Sequence, residues 1–457
     1  MSAILPLRAG APPARSRPTL PGATVAALLG GAALLAGLRP YAGLYALLAL
    51  VALVGPLLLS NALRQPPAVL GVVLGAWAIR CLAMALFTFR PEAAGMQGVL
   101  ASGGDAGFYH VTAEYAAAHP EWLESRAYLP PYTYVVIGCY ALFGPDFNVP
   151  ELLNVGVGVA LVPLVYQLGA RCAGARTAVV AALLWAFLPS GVFFSITLMK
   201  DAWVVTGAVL AGFLVLGVGR FAPTRGEYAA GAAGIALLGF LRPSFLGAVL
   251  LAMALLSFAK PRSGAALLRN LALLALAIGV VFGTPPGHRV LAALSAATSE
   301  GGIAFADATA RSGGSGIALA VAVPPAFRWL VMLPYVVLAP FPWQWASTGA
   351  GFGRLSGLET AVWYAAYLYL AVRVLRGGRR AGSGAVLLFA FALFVASSFT
   401  LPNLGSIYRY RLSALVLLSA ALPDRRRVPA VEGAAAADAP AAAPAAGAPA
   451  SDRRRQE

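Results

Sequence analysis

Long apolar runs recur along the chain as far as position 422, separated by short connections rich in arginine. A helix needs roughly 20 apolar residues to cross a bilayer. On that measure the pattern predicts twelve spanning helices, at 22–38, 42–62, 67–88, 149–170, 177–197, 203–220, 227–241, 245–259, 265–283, 357–375, 384–400 and 407–422. The runs at 227–241 and 245–259 are the shortest of these and barely span a bilayer core. Two further apolar stretches, 131–144 and 326–342, break the parity if counted as spans. Pro130 and Pro131 open the first, and Pro334 and Pro340 interrupt the second, so both read as juxtamembrane or re-entrant segments on the outer face.

Composition narrows this to an all-α polytopic membrane protein. The chain has 457 residues, 60% hydrophobic and 11% charged, with a mean hydropathy of +0.78, which leaves no room for a large water-soluble domain. The net charge of +16 would suggest nucleic acid as a partner in a soluble protein. Here the arginines fall in connections such as Arg171–Arg176, Arg220–Arg225 and Arg373–Arg380, where the inside-positive rule places them in the cytoplasm, so no nucleic-acid partner is expected. Both termini are then cytoplasmic, and the first apolar run is expected to be an anchor rather than a cleavable signal. Cys81, Cys139 and Cys172 have no metal-ligand spacing.

The expected organisation is a cytoplasmic segment 1–21, a transmembrane hairpin 22–66, a membrane domain 67–427 and a disordered Ala/Pro-rich cytoplasmic tail 428–457. Two long outer loops, 89–148 and 284–356, interrupt the membrane domain. The second contains a Gly/Ser-rich stretch, Ser299 to Gly316, expected to be mobile.

Apart from Glu227, the acids that precede the tail fall on the outer side. The sharpest local pattern among them is Gly103-Gly104-Asp105-Ala106-Gly107-Phe108-Tyr109-His110-Val111-Thr112-Ala113-Glu114, just after a spanning helix. Two glycines permit a tight turn, and the residues after Asp105 have helical spacing, with Tyr109 one turn on and Glu114 beyond it. Asp105 there suits a general base for a hydroxyl nucleophile, and it equally suits a helix N-cap. His110 and His119, with Glu114, Glu121 and Glu124, leave a divalent metal open, although no pair has convincing ligand spacing. Lys200-Asp201 ends a spanning helix on the outer side, where an ionisable pair is either functional or an interfacial snorkelling pair. Arg242 sits at the outer turn between two short helices. Tyr408, Arg409 and Arg411 open the last helix, and two arginines outside run against the charge trend and call for an anion, a phosphate or a lipid headgroup.

These residues resemble the polyprenyl-phosphate-dependent glycosyltransferases of the GT-C fold, which include bacterial relatives of the protein O-mannosyltransferases and of the lipid A aminoarabinose transferase. Gly104 to His110 is similar to the family's acidic first-loop motif, Tyr132 to Gly144 with Glu151-Leu152-Leu153-Asn154 to the following segment, and Pro189 to Asp201 to a helix ending in a second acid. The stretch Asn403 to Arg411 is similar to one seen in many bacterial members. The resemblance runs from about 67 to 422 and implies an inverting transferase of the bacterial cytoplasmic membrane, active on its outer face. It implies Asp105 as the catalytic base, Asp201 as the second acid, a polyprenyl-phosphate sugar as donor and a glycan, lipid or protein hydroxyl as acceptor. Lys200, Arg242, Arg409 and Arg411 are added from their positions as donor-phosphate ligands, with Tyr109, His110, Glu114 and Tyr408 beside them. Ala106 stands where some relatives carry a second acid, which weakens metal dependence. The competing readings are an O-antigen polymerase or ligase using His288, Arg289 and Arg311, a transporter or flippase using Arg80 or Arg269, and a scaffold subunit of an export complex.

Overall fold

The computed structural model describes residues 40–89, 105–124, 129–220, 223–258, 264–283, 327–345, 352–376, 381–399 and 404–422, with His288, Ala308 and 323–324 besides. Among them every regular element is helical. The helices are α1 (Pro40–Ala62), α2 (Pro67–Phe89), α3 (Asp105–Ala118), α4 (Glu121–Glu124), α5 (Pro131–Phe143), α6 (Asn148–Cys172), α7 (Ala175–Phe187), α8 (Pro189–Ile196) and α9 (Asp201–Gly219). They continue as α10 (Arg225–Leu241), α11 (Pro243–Phe258), α12 (Gly264–Gly283), α13 (Arg328–Leu338), α14 (Phe352–Leu375), α15 (Ala381–Ser398) and α16 (Leu404–Ala420). Within the described residues four helices are long and apolar enough to cross a membrane, and five if α7 and α8 count as one bent span. The expected span 22–38, the stretch Ser299–Gly316 apart from Ala308, and the tail from 428 lie outside the described residues.

Helices α6 and α9 form the centre. Within their apolar windows 67% and 78% of residues are buried, against 39% and 33% in α1 and α2, whose exposed Leu58 and Leu82 suit lipid contact. Lipid gives no hydrophobic drive for helix association, so close approach rests on small residues. At the α9–α10 contact a Cβ on Gly234 would lie 2.4 Å from the Ala211 nitrogen and 2.6 Å from the Gly207 carbonyl oxygen. At the far end of that hairpin Thr224 and Glu227 form a capping box, and the buried Glu227 receives Arg171 and Arg220.

One expectation is corrected. The run 177–197 is not one helix, because α7 stops at Phe187, and α8 leaves it at 53°. Pro189 has no N–H to donate and clashes with the preceding turn. A break at membrane depth frees backbone groups that lipid cannot satisfy. Arg80 of α2, fully buried, donates to the carbonyls of Trp185, Ala186 and Gly191, while Glu359 of α14 accepts from the Ser190 N–H at 2.8 Å and its hydroxyl at 2.5 Å. A cation thus meets the C-terminal end of one half-helix and an anion the N-terminal end of the next, as the helix dipoles favour. Each buried carbonyl left without a donor costs roughly 1–3 kcal/mol. Arg80→Met is therefore expected to lose roughly 3 kcal/mol or more, read as a lowered melting temperature in detergent; an unchanged one would mean that the break does not need the guanidinium.

Candidate functional site

The chain brings two acids and two arginines together from four distant segments. Asp105 is the first residue of α3, whose buried side, Ala106, Tyr109, Ala113 and Ala116, recurs at helical spacing. Tyr109 packs edge-on against Tyr132 of α5 at 5.1 Å, which seats the helix and presents a half-exposed Asp105 carboxylate. Arg409 Nη1 donates to Asp105 Oδ2 at 2.8 Å. Asp105 is thus engaged by a partner on α16, beyond its place at a helix start.

Asp201 opens α9 and is only 1% exposed. Arg409 Nε donates to its Oδ2 at 3.0 Å, and Arg242 Nη2 lies 3.5 Å from its Oδ1. Arg409 therefore holds both acids at once, with different edges of one planar guanidinium. Arg242 stands where α10 ends and Pro243 begins α11, and its guanidinium lies over the Tyr410 ring at 3.7 Å and the Phe245 ring at 5.4 Å. The two aromatic rings orient the cation and shield it from water.

The charges of this group do not cancel. Among the described residues, Lys200, Arg242 and Arg409 face two carboxylates, and Arg242 Nη1 and Arg409 Nη2 are buried without a hydrogen-bond acceptor. Buried donors without acceptors are costly, so the arrangement suits an added anion. Burial would raise the Asp105 carboxyl, but Arg409, with Lys200 and Arg242 behind it, outweighs burial and holds the group below its ordinary range. The Lys200 ammonium is pushed down to about 8, by burial first and then by the Arg242 cation. Tyr109 is pushed up, by burial first and then by the Asp105 charge, and so stays a neutral phenol.

Other expected site residues fall elsewhere. Arg411 is buried and donates to the Ala339 carbonyl and to Thr360 Oγ1, with its guanidinium 4.5 Å from the Tyr408 ring. With Tyr364 and Tyr367, which donate to Leu338 and Val337, it satisfies the carbonyls at the end of α13. Its guanidinium, expected on the donor phosphate, is thus engaged at the end of α13. His110 shares α3 with Asp105, but its Nδ1 lies 2.7 Å from Tyr140 Oη and its Nε2 3.9 Å from Glu114. His119 pairs with Glu121 at 3.5 Å, and among the described residues no three His, Cys, Asp or Glu side chains gather as a metal set. His288 is exposed, and Arg289 and Arg311 lie outside the described residues.

The residues not foreseen are Asn154 and Trp203, which grip the turn before and after Lys200-Asp201, and Glu359 at the helix break. The available signal was a polar side chain inside an apolar run, which marks a buried partner without naming it. Compared with known proteins, the chain matches no family model, no curated protein and no solved structure.

Proposed function

We propose that the protein is a membrane glycosyltransferase that moves a sugar from a polyprenyl-phosphate-linked donor to a hydroxyl acceptor, with inversion, on the extracytoplasmic face of a bacterial cytoplasmic membrane. The observation that carries this reading is the meeting of a half-exposed carboxylate, Asp105, with two arginines that keep buried donors unused. Asp105 accepts the acceptor's hydroxyl proton as the oxygen attacks the anomeric carbon. The bond from that carbon to the phosphate oxygen breaks, and the electron pair leaves with the polyprenyl phosphate. Arg242, Arg409 and Lys200 hold that phosphate, and fixed cations in a dry site stabilise the charge that develops on it. Asp201 contacts both arginines and so holds them side by side. In this reading the twelve-span GT-C arrangement rests on the apolar runs and the motif resemblance, and the outward site on the basic connections between helices.

A transporter of lipid-linked glycans is the second reading, since a broken span with buried charges also marks transport sites. Arg80 and Glu359 are, however, engaged by the ends of the break itself. The deciding experiment is transfer of radiolabelled sugar from polyprenyl-phosphate donors by membranes containing the protein. No transfer with any such donor, together with movement of the lipid across vesicles, would favour the transporter.

The lysine adds a pH signature. Because its folded value of about 8 lies below the ordinary one, the folded state holds fewer protons than the unfolded chain just above that pH, so this group raises stability as pH rises. Its binding charge is lost over the same range. Donor KM is expected to rise above pH 8, and Lys200→Arg, which stays charged, removes that rise; a KM flat with pH in the wild type would remove Lys200 from the phosphate site.

A further inference from the structure

Asn154 lies in the second turn of α6 and is fully buried. Its amide has two N–H donors and two acceptor positions, and all four are used. Nδ2 donates to the Thr197 carbonyl at 2.7 Å and the Met199 carbonyl at 2.9 Å, while Oδ1 accepts from Tyr132 Oη at 3.1 Å and Trp203 Nε1 at 2.7 Å. A flipped amide would set an N–H against the Trp203 N–H and its oxygen against two carbonyls, so the orientation is unique.

The partners bracket one dipeptide. Thr197 and Met199 precede Lys200-Asp201 in the turn that follows α8, and Trp203 follows it in the first turn of α9. The Thr197 backbone is extended, with φ −101° and ψ 156°, so its carbonyl lies outside the helical ladder, and it accepts from the Met199 N–H at 2.7 Å as well as from Asn154. Tyr132 packs on Tyr109, one turn from Asp105. One buried amide thus contacts the turn carrying the second acid and the ring that seats the helix carrying the first.

We infer that Asn154 is a positioning residue for the proposed transfer, holding Asp201 against Arg409 and Arg242 by gripping the turn on both sides of it. This rests on the glycosyltransferase reading. The residue touches no reacting group and acts through Asp201, so its removal slows transfer only while Asp201 has something to hold.

The test is a double-mutant cycle of Asn154→Ser and Asp201→Asn in the full-length protein in detergent. Misplacement by about 1 Å costs on the order of 100-fold in rate. Asn154→Ser is therefore expected to lose about 100-fold in kcat with donor KM changed less than about 3-fold, and less than about 3-fold further in kcat when added to Asp201→Asn. The cycle is also read without any activity, as melting temperature, where the double variant is expected to lose less than the sum of the singles. Full additivity in both readings would overturn the inference and leave Asn154 as general core packing. If Asn154→Ser does not accumulate as folded protein, Asn154→Gln, which keeps all four hydrogen-bonding groups and displaces them by one methylene, takes its place in the cycle. If the wild type transfers no sugar, the glycosyltransferase reading falls, while the stability cycle still decides whether Asn154 holds the charge cluster.

Discussion

Asp105→Asn is expected to lower kcat for sugar transfer by about 10³-fold, within the range that general-base catalysis contributes. The amide has the carboxylate's shape but cannot take the acceptor's proton. Donor binding should behave differently. In the resting site the Asp105 charge partly offsets the Arg409 guanidinium through Nη1, while Nη2 of the same group is left for the donor phosphate. Removing that charge leaves the guanidinium less neutralised, so KM for the polyprenyl-phosphate sugar should hold or fall while kcat collapses. A variant that loses donor binding and keeps kcat would show that Asp105 positions the substrate and that the base lies elsewhere, with Asp201 the next to test.

The pH dependence follows from the same contact. Arg409 keeps the Asp105 carboxyl below its ordinary range, so in the free enzyme it is ionised throughout the neutral range. A lowered folded value adds stability that is present above the unfolded value, near 3.9 for Asp as about the ordinary figure, and is lost as pH falls through the folded one. When the donor phosphate takes Arg409, the carboxylate loses part of that partner and becomes a better base. The acid limb of kcat, which reports the substrate complex, should therefore lie at higher pH than that of kcat/KM. Coincident limbs would mean that the phosphate does not compete with Asp105 for the guanidinium.

Arg409→Lys should be nearly as damaging although it keeps the charge. One lysine ammonium cannot present two edges to two acids and a third donor to a phosphate. Asp201, 1% exposed, would be left with the longer 3.5 Å contact to Arg242. Breaking a buried ion pair by removing one partner costs roughly 3–5 kcal/mol, and most of that belongs to the Asp201 arm, since Asp105 is half exposed and solvent screens it. The expected result is a loss of transfer on the order of 100-fold with raised donor KM and a lower melting temperature. Wild-type transfer in this variant would exclude Arg409 from the leaving-group site.

The positions of most helices were legible from the sequence, because apolar length and helical spacing are local properties that lipid and packing both reward. Each expected span within the described residues has a helix in the structure, and only 177–197 was wrongly taken as unbroken. Pro189 was visible there, but a proline alone does not say whether a helix bends, ends or is repaired. That depended on Arg80 and Glu359, which approach from α2 and α14.

The candidate site was legible as a set of residue types. Acids and arginines at helix ends, against the expected charge trend, stood out without a fold. Which of them meet was decided by tertiary packing. Arg409 and Arg411 look alike in the sequence, yet two positions along a helix separates their side chains by roughly 200° around its axis, so only one can face the acids. The structure gives that place to Arg409 and turns Arg411 to the carbonyl at the end of α13. Asn154 shows the same limit: its burial followed from the apolar run around it, but its four partners lie 22 to 49 residues away. The sequence by itself thus determined the helices and the chemistry at their ends, because those depend on neighbours along the chain. Only the tertiary structure decided the pairings, because a hydrogen bond depends on distance in space.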